Sequence, residues 1–504
     1  MKGPKIDRVL FFSAVVAVAV ACIPLVLMSE RAEQNVSDLY NWIASNMGVF
    51  YQCFAIGTML FLAWLTFGRF GHIRLGGGKP DFSTFSWAGM LFCAGTGASL
   101  LVWSGVEWAF YYDTPPYGVE PRSTQAAEWA TAYGPFHWGI TAWSFYALPT
   151  IAIAYSFYVK NIPHLRASTA MHAILGRSGE NSMAGRLIDL AAMIALLGGA
   201  GTSLGVIAPT IAAIIAQLLG METSFTLELG VMIFCIGLFA ISVYMGIERG
   251  IKRLSDLNVY LALGFLAYIL IAGPTIFILK SSVSTFGFMA ENFIRMMTWT
   301  DPIADQGFVE SWTIFYWAWW IAFALPIGIF VTRISRGRTI RQVVLSMIFF
   351  GSLGCWLFYF VIGNYSLSLE LDQVISVTGS LAENGMYVTV ANILSTLPLS
   401  TLALSWFALV SVISVATTYD SASYTLASTA TWELKEGDDP ARWHRLFWAG
   451  VLGLLPILMM WVGGLQLIRS GVLIASLPLL FVGVAMAVSL RKSLRADEQG
   501  PEHG

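Results

Sequence analysis

A chain of 504 residues that is 57% hydrophobic and only 12% charged lies far from a soluble globular protein, in which about a quarter of residues are charged. The formal net charge of −2, with no long basic run, gives no sign of nucleic-acid binding. The five cysteines (Cys22, Cys53, Cys93, Cys235 and Cys355) stand in apolar segments without a CxxC pair. They suit small packing residues in membrane helices better than a disulfide framework or a zinc site.

Apolar runs long enough to cross a bilayer recur along the whole length. The first, 9–28, follows Lys2, Lys5 and Arg8, lacks a small-residue cleavage site, and reads as an uncleaved first helix. Eleven further spans are predicted at 47–68, 86–112, 133–160, 185–218, 225–246, 257–279, 310–332, 341–362, 401–428, 442–462 and 467–490. The third, fourth, fifth and tenth are longer than a bilayer requires, which predicts tilt or breaks. With the N-terminus cytoplasmic, only Arg31, Arg122, Lys280, Arg295 and Arg469 fall on or near the outer side, leaving 23 of the 28 basic residues inside. That asymmetry supports an even span count and two cytoplasmic termini. Between spans, Phe286, Met289, Phe293 and Met297 recur at helical spacing, which predicts an amphipathic helix over 284–298 on the outer surface. A short helix is also expected near 386–397, ended by Pro398.

No HExxH, GxSxG or P-loop motif is present, so an enzyme and an ATP-driven pump are disfavoured; a secondary transporter or a channel remains. The third span contains Gly95, Thr96 and Gly97 beside Ser99. Two readings are open: close helix packing through small residues, or an unwound segment whose backbone faces a cavity. Gly198 to Gly205 form a second small-residue patch that packing alone explains. Asp420, in the tenth span, and Glu107, near the outer end of the third, are acids in apolar helices. Such acids are functional candidates by default, although a structural role for Asp420 and interfacial solvation of Glu107 stay open.

The most unusual stretch is Ser311 to Trp320, SWTIFYWAWW, with six aromatic residues. Trp312 fits an interfacial aromatic belt. Trp319 and Trp320 lie about 10–12 Å deeper on a helix, beyond what a belt needs. Trp312, Tyr316, Trp319 and Phe323 share one helical stripe, and Thr313, Trp317 and Trp320 form the next. In the fourth span, Trp138 and Tyr146 are eight residues apart and face one side. Two facing aromatic walls make a cage for a quaternary ammonium group, recognised by cation–π contact.

With these features the chain resembles the betaine/choline/carnitine transporter family over roughly residues 45–490. The resemblance is carried by SWTIFYWAWW, by Arg333 to Thr339 (RISRGRT), Gly95–Ser99, Trp103–Pro116, His137-Trp138-Gly139 and Gly201–Gly205. In Thr114-Pro115-Pro116 and Gly118-Val119-Glu120-Pro121 it is most similar to the carnitine/γ-butyrobetaine antiporter branch. The resemblance implies an all-α membrane protein of twelve spans with a LeuT-type inverted five-helix repeat, assembled as a homotrimer in the bacterial inner membrane. The corresponding division is 1–84 (two helices outside the repeat), 85–280 (first repeat), 281–309 (outer amphipathic connection), 310–490 (second repeat) and 491–504 (tail). It implies a substrate cage of Trp138, Trp143, Tyr146, Trp319 and Trp320, with Phe110 and Phe323 where the antiporter branch carries tyrosines. Trp312 would form an outer vestibule site, and Gly95, Thr96 and Gly97 would meet a carboxylate through backbone amides.

The antiporter branch replaces sodium with an arginine and a methionine, at positions that here hold Asn258 and Ile327. Thr417 and Thr418 match the hydroxyl pair that ligates sodium in glycine-betaine symporters, with backbone oxygens near Cys93 and Thr96 as partners. Glu107, Asn258 and Asp420 are the candidate coupling residues. The short ends beyond the outermost spans suggest constitutive uptake. The expectation is therefore a transporter, not an enzyme, that imports a quaternary-ammonium zwitterion such as glycine betaine or carnitine with Na+ and no other cofactor. The alternatives are sodium-independent exchange, uptake of choline or a dimethylsulfonium compound, and a channel or sensor.

Overall fold

In the computed structural model, residues 5–499 are described apart from 28, 96, 177–178, 246–251, 433–438 and 463, and the described residues are almost wholly helical. Two helices come first, α1 (Arg8–Leu27) and α2 (Ser29–Phe67). A set of five crossings follows: α3 (Thr84–Gly95) with α4 (Ala98–Asp113), α5 (Thr124–His137) with α6 (Ile140–Ala154), then, after the short α7 (His172–Leu175), α8 (Met183–Leu219), α9 (Phe225–Met245) and α10 (Lys252–Ala272). The amphipathic α11 (Thr275–Thr298) leads to a second set. This is α12 (Phe315–Ile334), α13 (Ile340–Phe358) with α14 (Asn364–Leu371), the surface helix α15 (Val377–Ser395), then α16 (Ser400–Thr429), α17 (Arg442–Val462) and α18 (Gly464–Gln499).

Among the described residues nine helices are long and apolar enough to cross a bilayer, and the α10–α11 pair, bent by 113°, makes a tenth. The other two spans expected from the sequence fall at α1, a shorter apolar helix over Arg8–Val20, and at the broken pair α3–α4, and neither is among these ten. Several boundaries differ from the sequence reading. The bend falls at Gly273-Pro274, so the seventh span stops at Ala272 and the amphipathic helix begins at Thr275, not 284. Proline cannot donate the helical N–H, and the residue before it avoids the α region. α15 starts at Val377, nine residues earlier than expected, because Ser376 caps it by accepting from Gly379 N; Gly385, at φ 74°, kinks it. α2 runs 39 residues, far beyond the 47–68 span.

Burial sorts the helices. The apolar windows of α5–α6, α8 and the helix from Val309 to Ile334 are 89%, 78% and 78% buried, against 28% for α9 and 33% for α18. The first three are the interior of the bundle. The glycine patch on α8 is continuous helix, as packing predicts: Gly199 meets Ala322 and Phe323, and Gly198 meets Gly471 and Ala475. The RISRGRT segment braces the ends of the two sets. Arg338 donates to Thr84 Oγ1 at 3.0 Å and Phe82 O at 2.8 Å and stacks on Trp87 at 4.6 Å, while Trp87 Nε1 donates to Ser335 Oγ at 3.1 Å.

Candidate functional site

Three local breaks build the site. The helix of the third span ends at Gly95, and Gly97 is extended (φ −68°, ψ 155°) before α4 begins at Ala98. The segment is thus interrupted, as the unwound reading requires; Thr96 lies outside the described residues. The fourth span is broken as well, at Trp138-Gly139, where Gly139 takes φ −100° and ψ −134°. The break frees the carbonyls of Pro135 and His137. Each finds an indole donor: Trp356 Nε1 to Pro135 O at 2.8 Å, and Trp320 Nε1 to His137 O at 2.8 Å. Non-helical backbone at this depth persists only where its polar groups are satisfied inside the protein. The third irregularity is a π turn at 309–314, which feeds Trp312 into α12.

These elements bring rings from α5–α6, α12 and α13 together. Trp138 lies edge-on to Trp319 (5.7 Å between centroids) and Trp320 (4.6 Å), and near Tyr316 (5.9 Å) and Tyr359 (6.1 Å). Trp319 and Trp320 stack at 5.1 Å with 8° between planes. Tyr146 meets Trp320 at 6.3 Å, and Trp143 stands behind Tyr146 at 5.3 Å. Each such ring pair contributes about 0.5–1.5 kcal/mol beyond area burial. Two glycines make the approach possible. A Cβ on Gly351 would lie 2.1 Å from the Trp143 ring, and one on Gly134 would lie 2.4 Å from the Tyr359 ring.

Glu107 is the hub. Trp103, Glu107 and Tyr111 fall on one face of α4 at i, i+4, i+8. The Glu107 carboxylate is fully buried. Its Oε1 accepts from Tyr111 OH at 2.5 Å; its Oε2 accepts from Tyr316 OH at 2.6 Å, from Tyr359 OH, and from Trp138 Nε1 at 3.3 Å. Burying a carboxylate is costly unless it is hydrogen-bonded, and four donors meet that need without a lysine or arginine partner. One assignment satisfies the rest: Thr313 OH donates to His137 Nε2 (3.1 Å), His137 Nδ1–H donates to the Tyr111 oxygen (3.1 Å), and Tyr111 donates onward to Glu107. This hub was not legible in the sequence, where Glu107 is read as a coupling candidate and no acid is placed in the cage.

The remaining predicted residues separate into other groups. Phe110 joins Trp312 (5.3 Å), with Trp103 and Tyr111 at 6.1 and 4.8 Å from the same ring, in a second ring cluster. Phe323 packs on Gly199 of α8 rather than on the cage rings. On α16, Thr417 OH donates to Ile413 O and Ser414 O, and Thr418 OH donates to Ser414 O at 2.9 Å. Cys93 closes the last turn of α3, and its side chain lies outside the described residues. Asn258 Nδ2 donates to Ser414 Oγ at 2.9 Å, while Asn258 Oδ1 is buried without a partner. Asp420 accepts from Ser242 Oγ at 3.0 Å, and its Oδ1 is also unpartnered.

The fold and the site define a polytopic α-helical membrane protein with an internal aromatic site. A family profile described as betaine/carnitine/choline family transporter matches residues 8–499, and the chain belongs to that family. It is a membrane transporter of a small molecule, not an enzyme. The chain is 38% identical over 429 residues (85% of the chain, 88% of the relative) to the uncharacterized transporter YeaV of Escherichia coli K12. It is 34% identical over 492 residues (97% of the chain, 89% of the relative) to the carnitine transporter of Acinetobacter baumannii. Among solved structures it is similar, at 12% identity and a TM-score of 0.45 over 88% of this chain and 85% of the other, to a substrate-bound, outward-open Na+-coupled sialic acid symporter.

Proposed function

We propose that the chain imports a quaternary-ammonium zwitterion of the glycine betaine or carnitine type by sodium symport. The observation that carries this reading is the ring cluster of Trp138, Tyr316, Trp319, Trp320 and Tyr359, three of which (Trp138, Tyr316 and Tyr359) donate to the buried carboxylate of Glu107. A trimethylammonium group has no N–H to donate, so π faces are its natural partners, at about 0.5–2 kcal/mol per desolvated contact. Phenols donating to Glu107 become more electron-rich, and the buried negative charge adds to the attraction for a cation. Trp319 Nε1, buried without an acceptor, would be a donor for the substrate's carboxylate, in addition to the amides expected of Gly95, Thr96 and Gly97.

Thr417 and Thr418 spend their hydroxyl hydrogens within α16, which leaves their oxygens free as hard ligands of the kind Na+ takes. Together with backbone oxygens near Cys93 and Thr96 they would hold the ion, which when bound couples uptake to the sodium gradient. Asn258, where the antiporter branch has a fixed arginine, fits the same reading. The further parts of the proposal are a homotrimer in the bacterial inner membrane, cytoplasmic termini, the Trp312 end facing outward, and repeats at 85–280 and 310–490.

The test is uptake of labelled glycine betaine, carnitine and choline into proteoliposomes under an inward sodium gradient, against potassium. Zwitterion uptake that needs sodium is expected. Uptake indifferent to sodium, with counterflow, would favour the exchanger. Preference for choline would favour the second reading that Glu107 permits, in which the buried carboxylate balances a net positive substrate.

A further inference from the structure

We propose that Arg469 binds the substrate's carboxylate at the Trp312 vestibule and sets the preference for zwitterions there; this rests on the function proposed above. Arg469 lies near the start of α18, level with the π turn of residues 309–314. Its guanidinium sits 5.0 Å from the centroid of Trp312 and 4.3 Å from that of Phe315, and Nη2 donates to Ser311 O. The arginine is thus a cation of the chain itself, resting on the ring that a trimethylammonium group would seek.

Its hydrogen bonding is incomplete. Arg469 Nε is buried without an acceptor, and among the described residues no carboxylate lies within 4.0 Å of the guanidinium. Glu310, two residues before Trp312, leaves its Oε2 buried and unpartnered as well. A buried donor or acceptor without a partner costs about 1–3 kcal/mol, and more when charged. The vestibule therefore presents a cation with incomplete hydrogen bonding, resting on an aromatic ring. The molecule complementary to that arrangement carries both charges: its ammonium takes the Trp312 face, and its carboxylate takes the guanidinium. As the zwitterion arrives, the guanidinium exchanges the ring for the carboxylate, so the ring keeps one cation throughout and Nε gains its acceptor. Choline, with no carboxylate, has to displace the guanidinium without replacing its contacts.

The experiment compares glycine betaine, choline and tetramethylammonium on Arg469→Gln and Arg469→Lys, by uptake KM and by tryptophan-fluorescence titration. Arg469→Gln is expected to raise KM for glycine betaine about tenfold, the loss of one charge-assisted hydrogen bond, and to leave choline and tetramethylammonium within about twofold or tighter. Arg469→Lys, which keeps the charge but loses the planar fork, is expected to cost severalfold for glycine betaine only, and it stands in if the Gln variant does not fold. Equal weakening of all three ligands would make Arg469 a structural brace and overturn the proposal, as would no change for any. If the wild-type protein binds none of the three, the proposed function itself falls, an outcome separate from failure of the arginine alone.

Discussion

Glu107 and Asp420 are both carboxylates buried completely inside the helix bundle, and the chain supports them very differently. Glu107 collects three phenol hydroxyls and an indole N–H from α4, the α5–α6 break, α12 and the α13–α14 junction. Asp420 has one hydroxyl donor, Ser242 of α9, and one oxygen without a partner. A satisfied acid of the first kind fixes the rings that hold it, because moving any of them strands a buried polar group. An acid of the second kind fixes little beyond the α9–α16 contact. The aromatic cluster is therefore held in one arrangement. The α16 region, with orphan oxygens on Asn258, Ser411 and Asp420, retains unmet hydrogen-bonding capacity.

Substitutions that exchange charge for amide test this contrast most sharply. Glu107→Gln puts an NH2 among four donors, and uptake is expected to fall about a hundredfold, the loss of one or two charge-assisted hydrogen bonds. Trp138→Ala and Trp320→Ala should each lower uptake at least about tenfold, since each removes one ring of the cage; near-normal uptake in both would remove the cage. Gly134→Ala drives a methyl into the Tyr359 ring and should reduce uptake severalfold while the protein still folds, read as a shifted thermal midpoint beside the transport assay. Thr417→Ala and Thr418→Ala should raise the sodium concentration for half-maximal uptake severalfold, with substrate affinity at saturating sodium little changed. Asp420→Asn, which keeps the acceptor for Ser242, is expected to stay within about twofold in substrate KM. A loss as large as that of Glu107→Gln would erase the distinction between the two acids.

Helical spacing was enough to put Tyr316 and Trp319 on one stripe and Trp317 and Trp320 on the next; that Trp138 of the fourth span meets them came from the family resemblance, because periodicity within one helix does not choose its neighbour. Gly95 and Gly97 marked the break between α3 and α4 for a similarly local reason. The roles of Tyr111, Tyr316, Tyr359 and His137 were not legible, since they depend on four separate segments converging on Glu107. One local signal was available: Trp103, Glu107 and Tyr111 lie on one stripe of an otherwise apolar helix. The second break was marked by Pro135 and Gly139 around Trp138, yet the fourth span reads as one continuous helix by periodicity alone. Phe323 shows the limit of stripe arguments: it shares a face with Trp312 and Trp319 in projection, but its ring is taken up by the glycine surface of α8.

Cation recognition by π faces is the central claim, and a neutral isostere isolates it. The purified protein is titrated with glycine betaine and with 3,3-dimethylbutanoate, which replaces the ammonium nitrogen by carbon at the same shape, with and without Trp320→Ala. The cage predicts that glycine betaine binds at least about tenfold more tightly than the isostere, and that Trp320→Ala removes most of this difference. Equal binding of the two compounds by the wild-type protein would contradict it.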